Sequence, residues 1–184
     1  GMNAKIGNWP GVTIEKKEGI IKGTKHEIVD LPGIYSLSPY SMEEEVARKF
    51  IFEENPDIII NILDATCLER SLYLTTQLLE SNCNVIIILN MMDKLEESGT
   101  KIDEKKLEKC LGTKVFKVSA LKQTGIKEVI QELDKVHFNK KKKEPTYLKS
   151  SFDINEYEKI ANKKYEFIEQ VAEECLEKKE GKEN

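Results

Sequence analysis

Two stretches, "DIIINILDA" at 57–65 and "NVIIILN" at 84–90, are nearly unbroken runs of isoleucine, leucine and valine. They have strand length and fall far short of the roughly 20 apolar residues that span a bilayer. A strand with one wet face alternates in polarity, so a run that is apolar at every position has to be covered on both faces. That is the condition of a parallel sheet flanked by helices. The segment between the runs, "CLERSLYLTTQLLES" at 67–81, fits the required crossover, with Leu68, Leu72, Leu74, Leu78 and Leu79 facing inward on a helix. Alternation of strand and helix continues through "DEKKLEKCLG", "KVFKVSA" and "GIKEVIQELDKV", which predicts an α/β fold with a doubly wound, mostly parallel sheet.

Upstream, residues 14–22 and 25–30 flank a turn at Gly23 and Thr24 and read as a β-hairpin of mixed polarity. "SMEEEVARKFIFEE" at 41–54 begins with a serine and an acidic first turn and carries Val46, Ala47, Phe50 and Ile51 on one side, an amphipathic helix. After Val136 the pattern stops. "NKKKKEPT" at 139–146 is a run of like charges that repel and extend, a solvated linker in the plain reading and a patch facing anionic lipid in the alternative. From Ile154 to Lys179, Tyr157, Ile160, Ala161, Tyr165, Ile168, Val171, Ala172, Cys175 and Leu176 form one stripe of a long amphipathic helix, which needs a surface to lie on. The expected organisation is a domain over 1–136, a basic linker over 137–153 and a C-terminal helical segment over 154–184.

A net charge of −4 provides no basic field for nucleic acid. The four cysteines, Cys67, Cys83, Cys110 and Cys175, include no C-x-x-C pair and read as reduced thiols, with neither a disulfide framework nor a metal cluster. The first three lie in or beside predicted elements and are expected to be buried structural thiols; Cys175 is left open.

In open α/β sheets ligands bind beyond the carboxyl ends of the strands, so the residues that follow each strand carry the chemistry. Three places qualify: "DLPG" at 30–33, "NMMD" at 90–93 and "SALK" at 119–122. Asp30 suits a carboxylate that holds a metal-bound water, and Gly33 a backbone amide approaching a terminal phosphate, although a bare β-turn gives the same four residues. Asp93 can accept from both donors of the guanine Watson–Crick edge, and Asn90 can bond its acceptor edge and brace neighbouring loops. A strand running into a helix cap is the bland alternative. Ser119 would brace the loop whose amides close on a base oxygen. The order and placement of the three together point to a guanine-nucleotide site.

The stretches "IGNWPGVTIEKKEG", "HEIVDLPGIYSLSPYS", "INILDATCLERSLYLTTQLLE" and "ILNMMDK" resemble the GTPase domain of the bacterial ferrous iron transport protein B family, over roughly residues 3–136. "NWPG" before the threonine, and Met91 where related GTPases carry lysine, set it apart from ribosome-assembly and tRNA-modifying relatives. "KKYEFIEQVAEE" is similar to the family's segment before its membrane helices, while the spacer between is much shorter than usual. The resemblance implies a P-loop GTPase-like fold and GTP or GDP as ligand. Thr13 and Asp30 would serve Mg²⁺, and Gly33 the γ-phosphate. Asn90, Met91, Asp93, Ser119, Ala120 and Leu121 would form the base pocket. Gly7 and Trp9 match a loop whose carbonyls complete a K⁺ shell in potassium-activated members; a hydrophobic plug is the alternative for Trp9. Ile34 stands where many small GTPases have a water-orienting glutamine, and no catalytic base is named.

The implied parent is a ferrous iron transporter whose cytoplasmic GTPase domain regulates Fe²⁺ passage through a domain in the cell membrane. A non-catalytic regulatory or scaffold module derived from the same fold is the competing reading. No G-x-x-x-x-G-K-[ST] motif occurs in the sequence, although the family's would precede "NWPGVT" by about 20 residues. The chain is therefore expected to be an internal piece that lacks the phosphate cradle and the central strand before it, and to bind nucleotide weakly. Unpaired strand edges are then expected to drive self-association or to leave the N-terminal region partly disordered.

Overall fold

The computed structural model describes residues 2–81, 83–135 and 157–178, in two compact units, Gly1–Pro56 and Asp57–Asn184. The predicted linker at 137–153 lies outside the described residues, as do the side chains of Tyr157 and Ile160.

The first unit is an antiparallel sheet of β1 (Met2–Asn8), β2 (Glu15–Ile21) and β3 (Glu27–Asp30), in that order, followed by α1 (Met42–Glu53). The β2–β3 hairpin turns where the sequence predicts. Gly23 takes φ 79°, and Thr24 Oγ1 donates to the Ile21 carbonyl at 2.9 Å and accepts from His26 N–H at 3.1 Å. β1 is not among the predicted elements. Met2, Ala4 and Ile6 alternate along it, but Ile6 stays 63% exposed, so it has none of the apolar density of a buried strand. Residues 2–8 pair antiparallel with β2, with Met2 opposite Ile21 and Asn8 opposite Glu15.

α1 starts as predicted: Ser41 accepts the Glu44 N–H at 3.1 Å, and three glutamates fill the first turn near the helix's positive end. Ser36 and Ser38 both donate to the Glu44 carboxylate, which fastens the segment after "DLPG" to the start of α1.

In the second unit β4 (Ile58–Asp64), β5 (Asn84–Asn90) and β7 (Val115–Lys117) form a parallel sheet in the order β4-β5-β7. α2 (Leu68–Glu80) makes the crossover between the first two, after a short 3₁₀ turn at Ala65–Cys67. Then come α3 (Met92–Glu97), β6 (Thr100–Ile102), α4 (Glu104–Leu111), α5 (Ile126–Lys135), α6 (Tyr157–Cys175) and β8 (Leu176–Lys178). The α/β class is as the alternation predicts. β5 sits between two strands and buries Val85, Ile86, Ile87 and Leu89. β4, an edge of its sheet, departs from the expectation of burial on both faces: Ile59, Asn61 and Leu63 are buried, but Ile62 is 63% exposed. Leu74 is half-buried rather than inward; α2 instead buries Thr75 and Thr76 beside its leucines. Thr75 Oγ1 donates to Asn61 Oδ1 at 2.6 Å, which gives a buried amide oxygen a partner where leaving it bare costs about 1–3 kcal/mol.

α6 finds its surface on α2 and α4. Ile168, Val171, Ala172 and Cys175 are buried, Lys164 Nζ pairs with Glu80 Oε1 at 2.8 Å, and Tyr165 stacks on Tyr73 at 5.8 Å between centroids. The helix was expected to reach Lys179 but ends at Cys175. Asp103 N–H donates to the Cys175 carbonyl at 2.8 Å, and Leu176–Lys178 turn into a strand antiparallel to β6, with Leu176 opposite Ile102.

The cysteines divide differently from the expectation. Cys83 and Cys175 are buried, Cys110 is half-exposed and Cys67 is exposed. Burial, and then the neighbouring Cys110, push the Cys175 thiol from about 9 up to about 12. An unfolded chain releases that proton near pH 9 and the folded chain keeps it. Stability drawn from Cys175 is thus whole below pH 9 and lost as pH rises toward about 12. Urea midpoints of wild type and Cys175→Ala under reducing conditions, from about pH 8 to about pH 11, are expected to show the steeper alkaline fall in wild type. Parallel slopes would refute it.

Candidate functional site

β5 delivers Asn90 at the carboxyl end of the parallel sheet, and the chain leaves it through Met91 in the left-handed region at φ 61°. That kink starts α3 one residue later, so Asp93 enters its first turn rather than continuing a strand. The side chain of Asn90 is half-buried and makes no hydrogen bond among the described residues. β7 delivers the second segment, with Val118 N–H donating to the Leu89 carbonyl at 3.2 Å beyond the last paired strand residues.

From there residues 119–124 form a closed loop. Ser119 N–H donates to the Thr124 carbonyl and Thr124 N–H to the Ser119 carbonyl, each at 3.2 Å. Gln123 and Gly125 take φ 50° and 87° to complete it. The glycine is needed for space as well, because a Cβ at 125 would lie 2.1 Å from the Lys117 carbonyl oxygen.

This loop and the α3 start meet at Asp93. Ser119 Oγ donates to Asp93 Oδ2 at 3.2 Å, and Lys122 Nζ approaches Asp93 Oδ1 at 3.2 Å. Lys122 N–H donates to Ser119 Oγ at 3.1 Å, so one hydroxyl ties the loop to itself and to the carboxylate. Ala120 is exposed, Leu121 is 90% exposed and Met91 is 39% exposed, which leaves apolar surface beside a half-buried acceptor. Such an arrangement suits a flat heterocycle with adjacent N–H donors on one edge. Of the predicted residues, the contacts bring "NMMD" and "SALK" together. Lys122 ends the "SALK" motif; a lysine in a turn carries no periodic signal, and only the fold reveals its partner.

The remaining predicted residues belong to the first unit. Thr13 is exposed in the turn between β1 and β2, Asp30 is the exposed last residue of β3 opposite Lys17, and Gly33 is exposed three residues later. Glu15 first, with a smaller contribution from Asp30, raises the Lys17 pKa. A carboxylate and a hydroxyl are hard oxygen donors that suit Mg²⁺ when phosphate and water complete the shell. Among the described residues no group of three His, Cys, Asp or Glu would hold a metal without such help.

The proposed K⁺ carbonyls are those of Gly7, in β1, and Trp9, in the turn that follows it. Trp9 O accepts from Val12 N–H at 3.2 Å, while Trp9 N–H donates to Ile14 O at 2.9 Å. Gly7 lies opposite Lys16 in the β1–β2 ladder. Trp9 behaves as the plug of the alternative reading: it is buried, edge-on to Phe50 at 5.5 Å, with Lys16 Nζ 4.8 Å from its ring centre.

The chain is 46% identical over 137 residues to the Fe(2+) transporter FeoB of Legionella pneumophila (strain Paris), covering 71% of this chain and 18% of that protein. The fold matches the cytosolic domain of L. pneumophila FeoB with a TM-score of 0.82 at 34% identity, over 96% of this chain and 90% of that one. A GDP-bound point mutant of the S. thermophilus FeoB G-domain matches with a TM-score of 0.84 at 34% identity, over 95% and 91%. The family model described as ferrous iron transport protein B matches residues 1–133, and the chain belongs to that family.

Proposed function

We propose that this chain is a guanine-nucleotide-binding part of a ferrous iron transporter, on the cytoplasmic side of the membrane. The observation that carries the reading is the Asp93 carboxylate, which Ser119 holds at the carboxyl end of a parallel sheet. Asp93 accepts from the N1–H and exocyclic amine of guanine, Asn90 bonds the opposite edge, and the Ala120 amide lies in the loop that faces the base oxygen. Met91 and Leu121 cover the ring faces. Thr13 and Asp30 would hold Mg²⁺, which would offset phosphate charge, and the Gly33 amide would serve the terminal phosphate.

Nucleotide affinity is expected to be modest, since none of these residues cradles the α- and β-phosphates. GTP hydrolysis, regulation of Fe²⁺ passage and a membrane domain as partner belong to the same proposal, supported by relatives named as Fe(2+) transporters. No helix among the described residues is long and apolar enough to cross a membrane. The outer edges of β1, β3 and β4 have no ladder partner among the described residues, which supports self-association as a further part of the proposal.

Titration of fluorescent GDP in Mg²⁺ buffer, with excess ATP as competitor, tests the reading. Saturable binding that ATP does not displace is expected. Binding that ATP and GTP displace equally would contradict base recognition, and no binding would favour the scaffold reading.

A further inference from the structure

We propose that Lys122 competes with the base for Asp93, holding the carboxylate when the pocket has no base and leaving it when guanine enters. The inference rests on the reading of Asp93 as the guanine acceptor. Both oxygens of that carboxylate have partners: Ser119 Oγ on Oδ2 and Lys122 Nζ on Oδ1, each at 3.2 Å. The two partners differ in kind. Ser119 is fixed by the loop closure with Thr124, and its hydroxyl accepts the Lys122 amide while it donates to Asp93. A carboxylate oxygen has more than one acceptor direction, so the single Ser119 hydroxyl leaves room for a base donor on Oδ2, whereas the three N–H groups of the Lys122 ammonium set donor against donor on Oδ1.

Lys122 is anchored at its backbone, while its side chain is 68% exposed. Its ammonium presents donors only, which is also what guanine presents to this carboxylate through N1–H and the 2-amino group. The adenine edge mixes an acceptor with a donor and does not substitute for an ammonium in the same way. Lys122 therefore stands in for the feature of guanine that Asp93 reads. Exposed ion pairs are weak and screened by salt, so the competition is a tuning device: it lowers affinity for guanine and shortens the bound lifetime without closing the pocket.

The test titrates wild type, Lys122→Met, Lys122→Arg and Asp93→Asn with fluorescent GDP, and with fluorescent ADP as reference. At about 20 mM salt, Lys122→Met is expected to bind GDP about two- to five-fold more tightly, Lys122→Arg to match wild type, and ADP binding to stay unchanged. At about 0.5 M salt the gain is expected to vanish. A Lys122→Met variant that binds GDP equally or less well, or a gain that persists at high salt, overturns the competition and leaves the base pocket standing. If no variant binds GDP in preference to ADP, the reading of the pocket falls, and the inference falls with it.

Discussion

Asp93→Asn is expected to abolish the preference for guanine and to replace it with one for xanthine. Both carboxylate oxygens accept, so they match two adjacent donors; the carboxamide keeps one acceptor and turns the other position into a donor. Against guanine this places two N–H groups face to face and removes the negative charge that strengthens the remaining bond. A loss of roughly 2–4 kcal/mol, or about 30- to 1,000-fold in affinity, is the corresponding scale. Xanthine carries a carbonyl where guanine carries its amine, so the new donor finds an acceptor. The substitution is isosteric, and the Lys122 ion pair it removes is largely exposed, so folding is expected to survive. Competition of GDP and xanthosine diphosphate for the same fluorescent probe decides it; unchanged GDP preference would move base recognition away from Asp93.

The largest effect on stability is expected from Gly125→Ala. The backbone there has φ 87°, and an added Cβ would come within 2.1 Å of the Lys117 oxygen and 3.1 Å of the Lys117 carbonyl carbon and Val118 Cα. All three are backbone atoms of the segment leaving β7, so no rotamer change relieves the overlap. The chain must move at the point where Thr124 closes on Ser119. About 3–4 kcal/mol is expected, read as a lower urea midpoint at unchanged slope. Gly112→Ala is the control in the same unit. Gly112 also has a positive φ, 70°, but has open space around it, so only the left-handed penalty of about 1–2 kcal/mol applies. Equal losses at the two positions would mean that the contact with Lys117 is not what the fold depends on.

The second unit was legible in the sequence because its strands announce themselves. Isoleucine runs at 58–60 and 86–88 mark β4 and β5 as strands, and the residues just past β5 and β7 include Asp93 and Ser119. Short elements were not legible for the opposite reason. β1 has three apolar residues in alternation and little burial, and β8 is three residues whose local pattern continues a helix. What ends that helix is a hydrogen bond from Asp103, distant in sequence, to the Cys175 carbonyl. Local propensity contains no record of such a partner. Lys122 is similar: its role depends on a loop closure that puts an exposed amine beside a particular carboxylate.

The pairing of β8 with β6 also has a mechanical meaning. Leu176, Glu177 and Lys178 are laddered to Ile102, Lys101 and Thr100, and α3 ends just before β6 begins. A pull applied to the chain after Lys178 loads that ladder directly, and the helix bearing Asp93 is the next element along the line of force. Three residues of pairing yield at low tension. Traction on the chain beyond Lys178 would open this ladder first.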